Sequence, residues 1–386
     1  PNGTSEAQVN NLKVYIFSEN GSLIGFKYFD KDDLDFQDDR NSTTGYDRTA
    51  ELSGIKTITG EAYIYAIANA VTSQYQVTEG EDRPITDVDE NNLAASGLTR
   101  DKFLSATYTR QSGSYDPKDN TFLMTGYVND GQLVTIKRME GGKAIISSSA
   151  AGDSQRLKLY KVVSKNKLTV KTASGITFEP DYMEIHNVPR FAALTPDGNT
   201  PASSFETFDR VVLDENVVNF YLPENLQNTS RKGTVSVWND REKNQYSASG
   251  EKVFVNAPDS ATYLVVHGRY KAENYVGNVA YTMHLGDFGK SGSIDNFDVC
   301  RNCSYQYTIT INGVNSFIAE ARRDGDGTAD DPGSEGIVIK TTASGLLDVD
   351  CHYEARVMVF DMAEIKSLID KNFGYINIDS EHFEFK

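Results

Sequence analysis

Three cysteines carry the most obvious chemistry in this chain of 386 residues. Cys300 and Cys303 form a C-x-x-C string, and Cys351 stands next to His352. A redox role needs such a string at a helix N-terminus, where the dipole lowers thiol pKa values, but this one leads directly into the strand-like pattern at Tyr305. Several interpretations stay open: packed thiols, a disulfide between Cys303 and Cys351 outside the cell, and a zinc or redox site. A zinc site would combine all three cysteines with His352.

An acidic loop near residue 324 has oxygen atoms at spacings similar to those of a calcium-binding loop. It runs from Asp324 to Asp330, and Glu335 stands at the twelfth position. Ala329, however, occupies the position where the sharp turn of such a loop needs glycine. We therefore interpret the segment as an acidic loop and not as a metal site.

The residue patterns of common enzyme sites are not found. Gly289-Lys290-Ser291 resembles the end of a phosphate-binding loop, but the glycine needed five residues earlier is replaced by His284. The five histidines are scattered, without the i, i+4 pair of a zinc protease. His284 falls on the polar side of a strand-like alternation, so we expect it to be solvated. The sequence therefore predicts no catalytic residues, no cofactor and no metal, and a protein that is not an enzyme.

The composition favours a β-rich protein of acidic surface. Tyr and Phe are abundant, at 21 and 19 residues, and such side chains suit pleated, half-buried surfaces. The formal net charge of -17 repels phosphate backbones, which argues against a nucleic-acid partner. No run of 18 apolar residues is present to span a bilayer. The polar start at residues 1–10 is what we expect of a mature form whose export signal has been removed.

Apolar and polar residues alternate with a period of two along much of the chain. The clearest examples are residues 12–16, 279–285 and 305–311, where alternate side chains would face a core. Further strands are predicted at 61–70, 121–128, 133–137, 157–163, 167–171, 217–222, 233–238, 261–267 and 355–360. Clusters of Gly, Asn, Asp and Ser separate these strands, for example at 19–22, 129–131 and 197–199, which is typical of sandwiches.

Helices are predicted to be few and short. Thr99 can cap a helix that runs to Tyr108, because its hydroxyl can accept an orphan amide hydrogen. Asp361, with Glu364 three residues on, resembles a capping box and predicts a helix that stops near Gly374. These patterns together predict an all-β fold of sandwiches.

A proline and a polar segment divide the chain into two predicted domains, residues 1–188 and 189–386. The boundary is placed at Asn187-Val188-Pro189, where proline interrupts strand pairing, and a polar stretch follows at 195–204. A second break lies at 320–335, which is rich in Gly, Asp and Arg, so the second domain is predicted to carry a C-terminal extension from about 320.

Eight strings occur in an order that resembles the fimbrillin superfamily, which builds type V pili. No single string is specific, but their order extends over residues 11–312. The strings are Asn11–Gly21, Ala62–Asn69, Phe122–Gly126, Gln155–Leu159, Ile185–Pro189, Phe220–Asn225, Tyr263–Val266 and Asp298–Tyr305. Cys300 and Cys303 depart from the family's usual residues, and the tail after Glu320 is a variant of its C-terminal region.

The resemblance implies two tandem transthyretin-like (Ig-like) β-sandwiches with a few short helices. It also implies export as a lipoprotein to the outer membrane, removal of an N-terminal strand by an arginine-specific protease, and a place in a fimbrium on the cell surface. Because the chain begins shortly before Leu12, we expect that first strand to be absent. The implied partners are other pilus subunits, with surface receptors of the host or of bacteria as further candidates.

A sandwich that lacks one strand suggests how subunits would join. Its unpaired amides and apolar groove are costly until a neighbour's strand covers them. We expect Leu12, Val14 and Ile16 to wall that groove and a C-terminal strand, 355–360 or 375–378, to fill it. The alternative is a pilus-tip or stand-alone module that binds glycan or host protein, with Trp238 and the tyrosines stacking on sugars.

Overall fold

The computed structural model describes most of the chain up to residue 324 and one further segment. The described residues are 8–34, 37–38, 48–50, 52–70, 75–78, 88–110, 122–138, 144–147, 157–196, 202–208, 210–213, 216–227, 232–249, 252–272, 275–288, 293–314, 316–324 and 339–344. Within them, no helix is both long enough and apolar enough to cross a bilayer.

Strands dominate the described chain. Those of the first half are β1 (Asn11–Ser18), β2 (Leu23–Asp30), β3 (Gln37–Asp38), β4 (Arg48–Thr49), β5 (Gly60–Ala68), β6 (Tyr75–Thr78), β7 (Thr107–Arg110), β8 (Met124–Val128), β9 (Val134–Arg138), β10 (Ala144–Ser147) and β11 (Leu157–Lys161). Those that follow are β12 (Val163–Thr172), β13 (Thr177–His186), β14 (Val188–Ala193), β15 (Ser203–Glu206), β16 (Val211–Val212), β17 (Val217–Pro223), β18 (Asn244–Tyr246), β19 (Lys252–Phe254), β20 (Tyr263–Ala272), β21 (Tyr275–His284), β22 (Ser304–Gly313), β23 (Ser316–Asp324) and β24 (Ile339–Ser344). The helices are α1 (Arg100–Ser105), α2 (Trp238–Arg241) and three 3₁₀ turns at Lys31–Asp33, Leu93–Ser96 and Asn129–Gly131.

The first core lies between two sheets. One has the order β10-β9-β5-β1-β2, with β8 and then β11 added beside β5, and the other has the order β15-β14-β7-β6. Tyr108 of β7 and Ala192 of β14 are buried in the same apolar cluster as β1 and β5, so the two sheets share one core. This arrangement is a β-sandwich.

The second core also lies between two sheets, of orders β17-β12-β22-β23-β24 and β16-β13-β20-β21. Tyr281 of β21 spans the two layers, with its ring centroid 5.7 Å from Phe178 of β13 and 5.6 Å from Phe317 of β23. The pair β12–β22 is parallel, whereas its neighbours in the same sheet are antiparallel. A parallel pair needs a crossover connection, and here the intervening chain forms the facing sheet.

The chain changes core three times near the predicted domain boundary. After β11 it enters the second core with β12 and β13. It then returns to the first core with β14 and β15, which pair with each other, and leaves again at β16, which pairs with β13. Leu194 is buried in the first cluster, whereas Val188 is buried in the second. The division into 1–188 and 189–386 stays a prediction.

The all-β fold is confirmed, and most predicted strands that lie within the described residues are present. The prediction of a strand at 233–238 is wrong, because Trp238 starts α2 and no strand forms before it. The Oγ1 atom of Thr99 accepts a hydrogen bond from the backbone amide of Lys102, as predicted. The helix α1 ends at Ser105 and not at Tyr108, because β7 begins two residues after Ser105. The predicted strand at 355–360 and the helix from Asp361 lie outside the described residues.

Candidate functional site

The predicted walls of a polymerisation groove are buried core residues. Leu12, Val14 and Ile16 are 3, 1 and 4% exposed. Since β1 pairs with β2 on one edge and β5 on the other, neither edge of β1 is open in the described chain. Their role in holding a neighbour's strand stays a prediction, as does the choice of donor, since 355–360 and 375–378 lie outside the described residues.

Both faces of β1 are covered, although its sequence predicted a single apolar face. Tyr15 and Phe17 are fully buried, and their ring centroids lie 5.0 and 5.6 Å from that of Phe103 in α1. Tyr65 of β5 joins the same aromatic cluster, 5.2 Å from Phe103. The single turn of α1 thus covers the side of the sheet that alternation alone would leave to solvent.

The C-x-x-C string forms a tight turn that leads into β22. Residues 301 and 302 are its central positions, and Asn302 adopts a positive φ of 55°. Cys300 is half-buried and Cys303 is buried, and both are free thiols in this structure. Cys351 and His352 lie outside the described residues, so the predicted Cys303–Cys351 disulfide and the zinc set stay untested, and the described residues contain no metal-binding cluster.

The central residues of this turn join the two cores, which sequence reasoning did not predict. Arg301 is only 3% exposed and donates to the carbonyl oxygens of Ala193 and Leu194 at 2.7 and 2.8 Å. It also donates to the Glu224 carboxylate at 2.7 Å. The backbone amide of Asn302 donates a hydrogen bond to the carbonyl oxygen of Val163 at 3.0 Å. We call residues 300–303 the cysteine turn; its only sequence signal is an arginine flanked by apolar strands.

Charge compensation explains how Arg301 tolerates burial. Burial by itself lowers the pKa of a guanidinium, but the charge and hydrogen bond of Glu224 outweigh it and raise the pKa of Arg301. The guanidinium therefore stays charged while it bonds two backbone carbonyls of the first core. The two carbonyl oxygens belong to the last residue of β14, the strand that returns to that core, and to the residue after it.

His284 is buried, so the prediction of a solvated histidine is wrong. It is 0% exposed, and its Nδ1 lies 2.7 Å from Glu242 Oε2. Phe254 of β19 and Phe297 pack edge-on to its ring, with centroids 4.3 and 5.6 Å away. The hairpin β18–β19 therefore covers the side of β21 that alternation assigned to solvent.

A buried arginine completes this ionic cluster. Arg241 is 0% exposed and donates to the carbonyl oxygens of Leu285, Ile294 and Asn296 at 2.8, 2.7 and 2.6 Å. Burial lowers its pKa to about 10 in spite of the neighbouring Glu242. Because those three carbonyls lie in loops around β21, the cluster fixes irregular backbone in place.

A ladder of aromatic and charged side chains lies on the outer face of β13 and β20. Tyr182 stacks on His267 and His186 stacks on Tyr263, with ring centroids 4.3 and 4.7 Å apart. Glu184 stands between the two stacks, 3.2 Å from His186 Nε2. Burial lowers the pKa of His186 more than Glu184 raises it.

Trp238 is not a sugar platform, which corrects the role assigned to it in the binding-module alternative. It is 2% exposed and packs edge-on against Phe288 and Phe317, with ring centroids 5.3 and 6.0 Å away. The segments that resemble phosphate and calcium loops, 289–291 and 325–335, lie outside the described residues. In the described part of the chain, the buried polar and aromatic side chains therefore pack against each other and form hydrogen bonds and ion pairs between segments.

Two families match the sequence. The family described as "Major fimbrial subunit protein (FimA)" matches residues 1–172, and a domain of unknown function, DUF4906, matches residues 220–309. No curated protein matches the chain.

Solved structures of fimbrial and adhesion proteins are similar to this chain. The tip fimbrial protein Mfa3 from Porphyromonas gingivalis is 15% identical, with 88% of this chain and 95% of that one covered and a TM-score of 0.48. A proposed cell adhesion protein from Parabacteroides distasonis is 13% identical, with 89% and 90% covered and a TM-score of 0.47. A fimbrial assembly protein from the same species is 11% identical, with 87% and 93% covered and a TM-score of 0.39.

The FimA match begins at residue 1, before β1, and extends through β12, so it takes in nearly all of the first core. The N-terminal part of this chain, residues 1–172, is therefore similar to the major fimbrial subunit family.

Proposed function

We propose that this chain is a pilus subunit that joins its neighbours by donating a C-terminal strand to the sheet of the next subunit. Such a subunit would be exported as a lipoprotein and assembled at the outer membrane. The family match over residues 1–172 supports the pilus role. The feature that supports joining by strands is one edge of the sheet β17-β12-β22-β23-β24 in the second core, where β23 and β24 lie.

β24 lies at the outer edge of that sheet. It pairs antiparallel with β23, from Ser316 opposite Ser344 to Ala321 opposite Ile339. β23 in turn buries Phe317, Ala319 and Ala321 in the second core. A β23 edge without a partner would leave a row of amides and carbonyls unpaired beside that core, which is costly. A strand from a neighbouring chain can satisfy the same groups.

Strand donation would bury apolar surface between subunits. A donated strand of about seven residues that buries about 400 Å² of apolar surface would contribute about 10 kcal/mol, at about 25 cal/mol per Å². The entropy lost on association offsets much of this gain. Because the donating and accepting surfaces differ, the contact is head-to-tail, and its repetition gives a filament wherever the rotation between subunits does not close into a ring.

Paired substitutions in the two candidate donors test the proposal in the full chain. Val357→Asp with Val359→Asp changes one face of 355–360, and Ile376→Asp with Ile378→Asp changes one face of 375–378. We expect one of these double variants to remain monomeric in analytical ultracentrifugation under conditions in which the unmodified chain forms polymers, because charged side chains cannot enter an apolar groove.

Asn377→Asp is the matched control, since it adds one charge to the opposite face of the second candidate. It should polymerise as the unmodified chain does. If both double variants assemble to the same extent as the unmodified chain, neither candidate strand is the donor and the proposal fails in this form. A melting temperature equal to that of the unmodified monomer would show that the variants are folded.

A further inference from the structure

The two thiols of the cysteine turn stand where a disulfide would form. Residues 300–303 make a four-residue turn with Arg301 and Asn302 at its centre. Such a turn brings its first and last Cα atoms within about 7 Å. Disulfides need Cα atoms about 4.4–6.8 Å apart, so the turn meets this requirement without a change in the strands that flank it.

The surroundings of Cys300 suit the attacking thiolate of a disulfide exchange. Arg323 Nη1 lies 3.8 Å from its sulfur, and Arg323 is held by Asp287 at 3.1 Å. The Cys300 amide donates to the hydroxyl of Tyr305 at 2.9 Å, which fixes the backbone of the turn. A hydrogen bond from Cys303 lowers the pKa of Cys300 most, with Tyr305 and Arg323 adding to it against the effect of burial. Cationic and hydrogen-bonding neighbours are what activate a thiol.

Cys303 has the opposite character. It is 3% exposed, and donation of its hydrogen to Cys300, together with burial, raises the pKa of its thiol. Cys300 is the more exposed of the two. Cys300 is thus the more accessible thiol and has the lower pKa, as an attacking cysteine needs. Cys303 is buried next to it, as a resolving cysteine is.

We infer that Cys300 and Cys303 form an intramolecular disulfide when the chain reaches an oxidising compartment, and that this bond fastens the turn that joins the two cores. The oxidant is an external disulfide. The Cys300 thiolate attacks one of its sulfurs and releases the first thiol. Cys303 then loses its proton and attacks the Cys300 sulfur, which releases the second thiol. Two protein thiols are oxidised, and one external disulfide is reduced to two thiols.

The disulfide would stabilise the hydrogen bonds that the cysteine turn makes with the first core. Arg301 and Asn302 reach Leu194 O and Val163 O from within the ring that the disulfide closes. A covalent ring restricts the unfolded turn and so favours the geometry in which both residues reach these oxygens. This inference does not depend on strand donation, because it concerns contacts within a single chain.

Peptide mapping without reduction tests the inference in the full chain purified from an oxidising compartment. Free thiols are first alkylated with iodoacetamide, and the denatured chain is then cut with trypsin. Trypsin cuts after Arg301, between the two cysteines, so the two fragments stay covalently joined only if Cys300 and Cys303 are bonded. We expect the joined pair, its separation by dithiothreitol, and alkylation of Cys351 alone.

Cys351→Ser is the matched control and should leave the joined pair intact, whereas Cys303→Ser should abolish it. Alkylated Cys300 and Cys303, or a fragment that joins Cys303 to Cys351, would overturn the inference. In the Cys351→Ser chain, dithiothreitol should lower the melting temperature by a few degrees. An unchanged melting temperature would overturn the claim that the bond fastens the turn.

Discussion

At the scale of single residues, Arg301 is a buried side chain that links the two cores. Arg301→Ala would remove two bonds to backbone carbonyls and leave the Glu224 carboxylate without its partner. We expect a loss of about 3 kcal/mol in the free energy of unfolding, since breaking a buried pair exposes the remaining charge to an apolar setting. Urea denaturation measures it.

The exposed Arg190 offers the control for that substitution. Arg190→Ala should change the free energy of unfolding by no more than about 0.5 kcal/mol. Equal effects of the two substitutions would mean that Arg301 contributes no more than a surface arginine, and the two cores would then be held together by other contacts.

The buried carboxyl of Glu242 makes the stability of the fold depend on pH. Burial raises the pKa of its carboxyl, but the charge and hydrogen bonds of His284, with Arg241, outweigh burial and lower the pKa below its ordinary 4.5. The unfolded chain therefore binds the proton more tightly. The stabilisation from Glu242 is complete above pH 4.5 and is lost as the pH falls through the lower folded value.

Glu242→Gln should therefore flatten the dependence of stability on pH in that acidic range. Urea midpoints measured from neutral pH downwards provide the test, with Glu179→Gln on the exposed surface as the control. The control should follow the unmodified chain throughout. If Glu242→Gln also loses stability as steeply as the unmodified chain does, another carboxyl accounts for the acid sensitivity.

Residue-level function was the part least accessible to the sequence. The C-x-x-C string was visible, but the two residues between the cysteines carry the contact between the cores, and no local pattern marks that role. The solvation of His284 was wrongly predicted because an earlier hairpin, β18–β19, covers its strand. Burial by a distant segment leaves no trace in the alternation of the strand itself.

At the scale of elements, close backbone approach decides which positions must be glycine. A Cβ atom at Gly126 of β8 would lie 1.8 Å from the carbonyl oxygen of Lys158 in β11. Gly126→Ala should therefore push the two strands apart and lower the free energy of unfolding by about 2 kcal/mol. At Gly25 of β2 the nearest atom would be 3.0 Å away, so Gly25→Ala should cost less. Equilibrium unfolding ranks the two, and the reverse order would refute the steric explanation.

The core-facing sides of strands were the features that the sequence predicted well. The alternation at 279–285 and 305–311 corresponds to β21 and β22, whose apolar side chains are buried as expected. β1 was found at the right place, but its second buried face was not, because α1 packs on it from elsewhere in the chain. β13 was not predicted: Pro180 and its charged and polar residues interrupt the apolar pattern there.

At the scale of the whole molecule, topology was beyond local patterns. The excursion of β12 and β13 into the second core, the return of β14 and the parallel pairing of β12 with β22 all depend on contacts between distant segments. The family resemblance, in contrast, was readable from the order of short strings, and the FimA match confirms it for residues 1–172. The order of such strings along the chain can persist between related proteins even where individual residues differ.

The central claim is that a strand of one subunit completes a sheet of the next. Cryo-electron microscopy of polymers assembled from the full chain measures this directly. The account predicts a continuous strand that leaves one subunit and pairs along a sheet edge of its neighbour. Subunits that meet only through side chains, with every strand of each sheet supplied by its own chain, would contradict it.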